Sequence, residues 1–161
     1  MTDFIEPISP DLDDILFIRG QRGGRYPYSH SLLIQDWLID TGISSGFMRK
    51  LKREQTINAV ILSHWHEDHI SGNRLLKKAE FFAHERDKRI VEDVQMMYEF
   101  YLVKGKPAQV ELFDTIIQGL RLKDTKINHL LKNGQVIPIG NEYELEVIHA
   151  PGHSAGHCCF Y

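Results

Sequence analysis

Short apolar runs, closed by turn residues, alternate along this chain with a long stretch of helical periodicity. Asp14-Ile15-Leu16-Phe17-Ile18 reads as a first strand and is followed by a Gly-rich turn through Gly20, Gly23 and Gly24. Residues 31–34 and 37–39 predict a hairpin about Gln35-Asp36, whose second arm stops at Asp40-Thr41-Gly42. Over 45–54, Phe47, Met48 and Leu51 share a helical face opposite Arg49, Lys52 and Arg53. A buried-type strand over 58–62, a short helix over 70–78 and a strand over 80–83 then make a βαβ unit, whose crossover is normally right-handed.

From 84 to 122 the period becomes helical. Ile90, Val94, Met97 and Tyr101 fall on one stripe; Gly105-Lys106-Pro107 breaks it, and Leu112, Ile116 and Leu120 form a second. Ordinary packing onto the sheet accounts for most of these side chains, while the segment as a whole suits a cap that walls a substrate site. Strands resume near Ile127, with a turn at Asn133-Gly134, a strand over 135–139, a tight turn at Gly140-Asn141 and a return strand over 143–149. Tyr143, Leu145, Val147 and His149 share one face of that return strand, and Glu144 and Glu146 the other.

Composition narrows the classes. The chain has 161 residues, enough for one domain, 42% hydrophobic and 25% charged, with a net charge of −3. That balance gives no footprint for nucleic acid or an anionic membrane. No apolar run reaches the length of a membrane span, and the amino-terminal stretch from Met1 to Glu6 lacks a signal-peptide pattern, so a cytoplasmic protein is expected. The only cysteines are the neighbours Cys158 and Cys159, poorly placed for a disulfide and expected as buried strand residues. The basic run Arg49-Lys50-Leu51-Lys52-Arg53 reads as the solvated face of a helix in preference to a phosphate-binding patch.

The chemistry concentrates in His64-Trp65-His66-Glu67-Asp68-His69, directly after the apolar run Ala59-Val60-Ile61-Leu62. Imidazole and carboxylate are ligands for zinc, iron or manganese. In an extended backbone His64, His66 and Asp68 would point to one side, while His69 would face elsewhere unless a helix begins there. The stretch is not an HExxH motif, because Ile70 stands where its second histidine belongs. His153, on a Gly-flanked turn at a strand end, is the best further ligand; His149 and His157 are expected in the core or at the surface, as are His30, His84 and His129.

Asp40-Thr41-Gly42, then Ser63 to His69 with Gly72, then Pro151-Gly152-His153-Ser154, resembles the metallo-β-lactamase superfamily in order and strand-end placement. Within it the pattern is most similar to hydroxyacylglutathione hydrolase (glyoxalase II) and thioesterase-like relatives. The resemblance implies an α/β fold, an αββα sandwich of two sheets with helices outside, here largely its amino-terminal half in one incomplete domain over 1–161 with a helical insertion at about 84–122. It implies that His64, His66 and His153 bind a first metal and Asp68 and His69 a second, with Asp40 behind them positioning the ligand loop. Two Zn2+ per complete domain are expected, Fe or Mn being alternatives.

The implied activity is hydrolysis of a thioester or other activated acyl ester, a small-molecule substrate, by a metal-bound hydroxide, with Asp68 as the catalytic carboxylate. The family pattern goes on to a bridging carboxylate and a further histidine beyond Tyr161, so a truncated domain is expected, with self-association or domain swapping as its consequence. Two other readings stand beside this one: a mononuclear iron persulfide dioxygenase-like oxidoreductase, and an inactive metal-binding half-domain that needs a partner chain.

Overall fold

The computed structural model describes residues 3–102 and 105–161; Met1 and Thr2 of the amino-terminal stretch, and two positions inside the helical stretch, lie outside it. Two sheets form the frame. The larger runs β1 (Ile5–Ser9), β2 (Leu12–Ile18), β3 (Ser31–Ile34), β4 (Trp37–Ile39), β5 (Ala59–Ile61), β6 (Glu80–His84) and β7 (His129–Leu131), in that order across the sheet. β1 to β4 pair antiparallel as hairpins, and β4 to β7 pair parallel. The smaller sheet is the antiparallel meander β8 (Val136–Ile139), β9 (Tyr143–His149) and β10 (Cys158–Phe160).

Between β2 and β3 lies one turn, α1 (Gln21–Gly24), in which Arg22 and Gly23 take left-handed φ. The helices proper are α2 (Ser45–Glu54), the single turn α3 (Glu67–Ile70), α4 (Glu85–Glu92), the single turn α5 (Met97–Phe100) and α6 (Pro107–Leu120), with 3₁₀ turns at Asn73–Leu75 and Val94–Met96. α2 starts at Ser44, whose hydroxyl accepts from Phe47 N (3.2 Å), and buries Met48 and Leu51 as the apolar stripe requires.

The layering follows from the alternation of strand side chains. Leu16, Ile18, Leu33, Leu38, Val60 and Leu62 meet the helices in one core, while Ile15, Ile34, Ile61, Phe82 and Leu131 meet Ile137, Leu145 and Val147 of the smaller sheet in a second. An α/β sandwich of two sheets with helices against the larger one results. Leu145 and Val147 are buried and Glu144 and Glu146 exposed, as the period of two in β9 dictates.

Several boundaries differ from expectation. β1 precedes the strand expected as first; its sequence Ile5-Glu6-Pro7-Ile8-Ser9 holds a proline, tolerated because this is the sheet edge. The helix expected over 70–78 is one α-turn that starts earlier, at Glu67, and a separate 3₁₀ turn. Ile90, Val94 and Met97 are buried, but the helix breaks at Asp93, whose side chain caps the next turn. In α6 the buried face is Phe113 and Ile117, and Leu112 is 64% exposed, because the packing stripe is one position removed from the expected one. Cys158 is buried but its neighbour Cys159 is exposed, since β10 alternates. Among the described residues no helix is long and apolar enough to cross a membrane.

Candidate metal centre

Parallel neighbours β4 and β5 deliver their carboxyl ends to one edge of the sheet, where α/β sheets place their sites. Asp40 follows β4 at once, His64 and His66 follow β5, Asp68 and His69 lie in α3, and His153 comes from the loop between β9 and β10 of the other sheet. The site is therefore built where the two sheets face each other.

Three imidazoles converge there. His153 Nε2 lies 2.8 Å from His66 Nδ1 and 3.1 Å from His64 Nε2. A tetrahedral zinc with bonds of about 2.0–2.1 Å holds its nitrogens about 3.3 Å apart, so a few tenths of an ångström of outward movement suits the trio to such an ion. A second group of possible donors joins Asp40, His64 and His69 within 4.8 Å. Asp68 falls outside both groups: the chain turns into α3 at Glu67 instead of staying extended, which ends the alternation that would have aligned it with His64 and His66. Its Oδ2 nevertheless lies 3.9 Å from His69 Nε2.

Asp40 organises the loop from behind. Its Oδ1 accepts from Ser63 N (2.8 Å), and its Oδ2 accepts from Ser63 Oγ (2.6 Å) and meets His69 Nδ1 (2.7 Å). Ser63 Oγ in turn lies 2.9 Å from His64 Nδ1. One buried carboxylate thus fixes the rings of His64 and His69 with their Nε2 atoms directed into the site, the arrangement that raises the basicity of histidine ligands. Asp40 itself takes left-handed φ (58°), held by its amide donating to Ile61 O and its carbonyl accepting from Ser31 Oγ.

The environment sorts the protonation states. Burial, and then the surrounding histidines, push His64 down to about 2; burial and His153 lower His66 as well. Burial also opposes a proton on His69, but the hydrogen bond and charge of Asp40, with Asp68 and Glu67 adding, outweigh it and raise its pKa. Burial raises Asp68. Two neutral imidazoles beside a third group is the state metal binding needs.

Other participants were not singled out as site residues by the sequence. Asp87 of α4, almost wholly buried, accepts from Ser154 Oγ (2.6 Å) and Gly156 N (2.7 Å) on the His153 loop, and from the backbone of Trp65 between His64 and His66. Tyr101 stacks on His66 (5.8 Å between centroids, 22°) while its hydroxyl donates to buried Glu67, which also accepts from Tyr26. His157, expected away from the site, has its ring 5.3 Å from that of His64 and 5.8 Å from that of His153. His149 stacks on His84 across the two sheets. Tyr101 lies on the helical stripe expected to cap the site, but its contact with His66 is set by tertiary packing; Asp87 has no sequence signal, because a single buried acid reaches the His153 loop only through packing.

A two-sheet α/β sandwich with a histidine-rich centre at its strand ends defines a class of metal-site protein. The chain belongs to the metallo-β-lactamase superfamily, whose family model matches residues 29–161. In structure it is similar to a β-lactamase domain protein from Burkholderia ambifaria (TM-score 0.70, 16% identity, covering 98% of this chain and 52% of that one). It is also similar to a metallo-β-lactamase from Cronobacter sakazakii (TM-score 0.69, 17% identity, 97% and 58%) and to a class B3 di-zinc metallo-β-lactamase from an Alaskan soil metagenome (0.65, 19%, 91% and 53%). No curated protein matches the chain significantly in sequence. At these identities the solved structures establish the fold, and the chain spans about half the length of each. Two of the three are metallo-β-lactamases and the third is a β-lactamase domain protein; none supports the expected hydroxyacylglutathione hydrolase branch.

Proposed function

We propose that this chain carries the metal-binding part of a metal-dependent hydrolase that acts on a thioester or other activated acyl ester. The observation that carries the reading is the convergence of His64 Nε2, His66 Nδ1 and His153 Nε2 from two sheets on one point. These three residues are the proposed ligands of a first Zn2+, with His69 and Asp68 beside it as ligands of a second. When bound, zinc supplies Lewis acidity and lowers the pKa of its water to about 7.

The rest of the reading belongs to the chain's own groups. Asp40, through Ser63, holds the His64 ring and directly holds the His69 ring. Asp68, with an oxygen 3.9 Å from His69 Nε2, stands where it can relay a proton from the nucleophile to a leaving group. Tyr101, packed on His66, closes one side of the site and opens on its other side to a cavity of about 340 Å3 lined by Glu67, Gln109, Leu112, Phe113 and Ile116. An apolar acyl group fits that lining better than a polar one.

Zinc titration against a competing chelator, followed by hydrolysis of a panel of thioesters, oxyesters and β-lactams by the zinc-loaded chain, tests the reading. Tight zinc binding that His66→Ala weakens by about 10-fold or more is expected, with thioesters preferred among the substrates turned over. No bound zinc, or affinity unchanged in His66→Ala, would overturn the metal assignment; preference for β-lactams would overturn the substrate assignment alone. Oxygen uptake with bound iron in place of zinc would favour a persulfide dioxygenase.

A further inference from the structure

On the helix side of the larger sheet, three arginines from three separate elements line one cavity of about 300 Å3 whose walls contain no proposed metal ligand. Arg49 belongs to α2, Arg74 to the 3₁₀ turn after α3, and Arg121 follows the carboxyl end of α6. Ser44, Ser45 and Tyr28 add hydroxyls to the wall, and no acidic side chain lines it. Among the described residues no carboxylate pairs with any of the three guanidinium groups.

Like charges that converge without a counter-charge repel, and here the repulsion registers: burial, then Arg49, then Arg121 lower the pKa of Arg74. Arg74 is held by a hydrogen bond from Nη2 to Ser45 Oγ (2.6 Å), yet its Nε is buried and has no acceptor. The protein thus leaves this guanidinium, crowded by two like charges, partly unmet, and an anion against its accessible edge would relieve the repulsion. The cavity also opens onto the start of α2. Ser44 caps the Phe47 amide, which leaves the amides of Ser45 and Gly46 without an intrahelical acceptor, and Gly46 has no side chain to cover them.

We propose that this cavity is a binding site for a phosphoryl group, free or carried by a small organic molecule, held by Arg49, Arg74 and Arg121 at the amino terminus of α2. Forked guanidinium donors match tetrahedral phosphate oxygens and hold them in pairs. The cavity has the volume of about ten waters, so there is room for an organic group attached to the anion. Only Arg49 of the basic run on α2 takes part; Lys50, Lys52 and Arg53 are exposed and remain a solvated helix face. Occupation would also fasten the end of α6 to the body of the domain, since Gly119, Leu120 and Arg121 form one wall. The site is independent of the proposed hydrolase chemistry, because none of its lining residues is a proposed ligand or proton carrier.

The test is calorimetric titration of the chelator-treated chain with inorganic phosphate and with glycerol 3-phosphate, at constant ionic strength in chloride. Saturable binding of one or both is expected, and the tighter of the two identifies a free or an esterified ligand. Arg49→Ala and Arg121→Ala, both exposed positions that should leave folding intact, are each expected to weaken it by about tenfold, the loss of one charge-assisted hydrogen bond. Arg53→Ala and His153→Ala are expected to bind like the native chain. No saturable binding of either phosphate, native affinity in the double variant Arg49→Ala/Arg121→Ala, or loss of binding in His153→Ala, which would place the anion at the histidines, overturns the proposal.

Discussion

Asp40 ties the candidate metal centre together from behind through three hydrogen bonds. It accepts from Ser63 N, Ser63 Oγ and His69 Nδ1 while 6% exposed, so replacing it leaves three donors without an acceptor in a buried place. Asp40→Ala is therefore expected to weaken zinc binding by about 10–100-fold, as loss of an outer-shell partner does, and a chelator competition titration measures it. The protonation states give a second prediction. His64 and His66 have lowered pKa values and stay neutral in the folded chain at a pH where the unfolded chain protonates them. Below the ordinary histidine value of about 6.5 the unfolded state then binds more protons, so stability falls as pH falls. His69 has the opposite sign: its raised pKa adds stability below that value, lost as pH rises through the folded one. His64, pushed down to about 2, is shifted most, and burial lowers His84 as well, so the first effect is larger. The metal-free chain should lose melting temperature between about pH 7 and pH 5.5; a flat or rising profile in thermal denaturation would contradict this.

At the scale of elements, the ligand loops hold their shape through backbone approaches that leave no room for side chains. A Cβ on Gly42 would overlap the carbonyl of Asp68 and the hydroxyl of Ser29, so the Asp40-Thr41-Gly42 turn and α3 touch backbone to backbone. Thr41 completes the joint: its amide donates to His69 O (2.7 Å), and its hydroxyl donates to Asn73 Oδ1 (2.7 Å) and accepts from Gly72 N (3.2 Å). Gly42→Ala is expected to cost about 3 kcal/mol or more in urea denaturation, because both neighbours are main chain or buried and cannot move aside. Gly119, near the end of α6, is the counterexample. Nothing lies within 4 Å of a Cβ built there, so Gly119→Ala should stabilise the chain by up to about 1 kcal/mol through helix propensity alone. Gly42 was legible in the sequence as a turn glycine; that it is obligatory while Gly119 inside α6 is dispensable was not, because the difference lies in what packs opposite.

For the whole molecule, the candidate metal centre lies at the seam between two sheets. His64 and His66 ride on the larger sheet and His153 on the smaller one, and Cys158 N of β10 donates to Ser63 O (2.9 Å) beside them. Asp87 reinforces that seam from α4, holding the His153 loop through Ser154 and Gly156 and the β5 loop through Trp65. Asp87→Ala should lower both melting temperature and zinc affinity, even though Asp87 is no proposed ligand. Retained zinc affinity in a destabilised Asp87→Ala chain would show that the two loops are positioned without it. Zinc, by bridging the sheets, is expected to raise the melting temperature of the native chain, since a ligand that binds only the folded state stabilises it by mass action.

Much of this was legible in the residues alone, and the reason is local. Period-two and period-3.6 patterns report which face of an element is apolar, so β9, α2 and the β3–β4 hairpin could be placed without a structure. Likewise His64, His66 and His69 crowd into six residues after an apolar strand, and that density announces metal chemistry. Register within α6, the early start of α3 and the exclusion of Asp68 from the donor groups were decided by packing between segments distant in sequence. The same holds for Asp87 and His157 at the centre, for the contact of Tyr101 with His66, and for the meeting of Arg49, Arg74 and Arg121. A single acid, ring or arginine carries no periodicity, so only the tertiary structure, by bringing separate elements to one place, gives it a role.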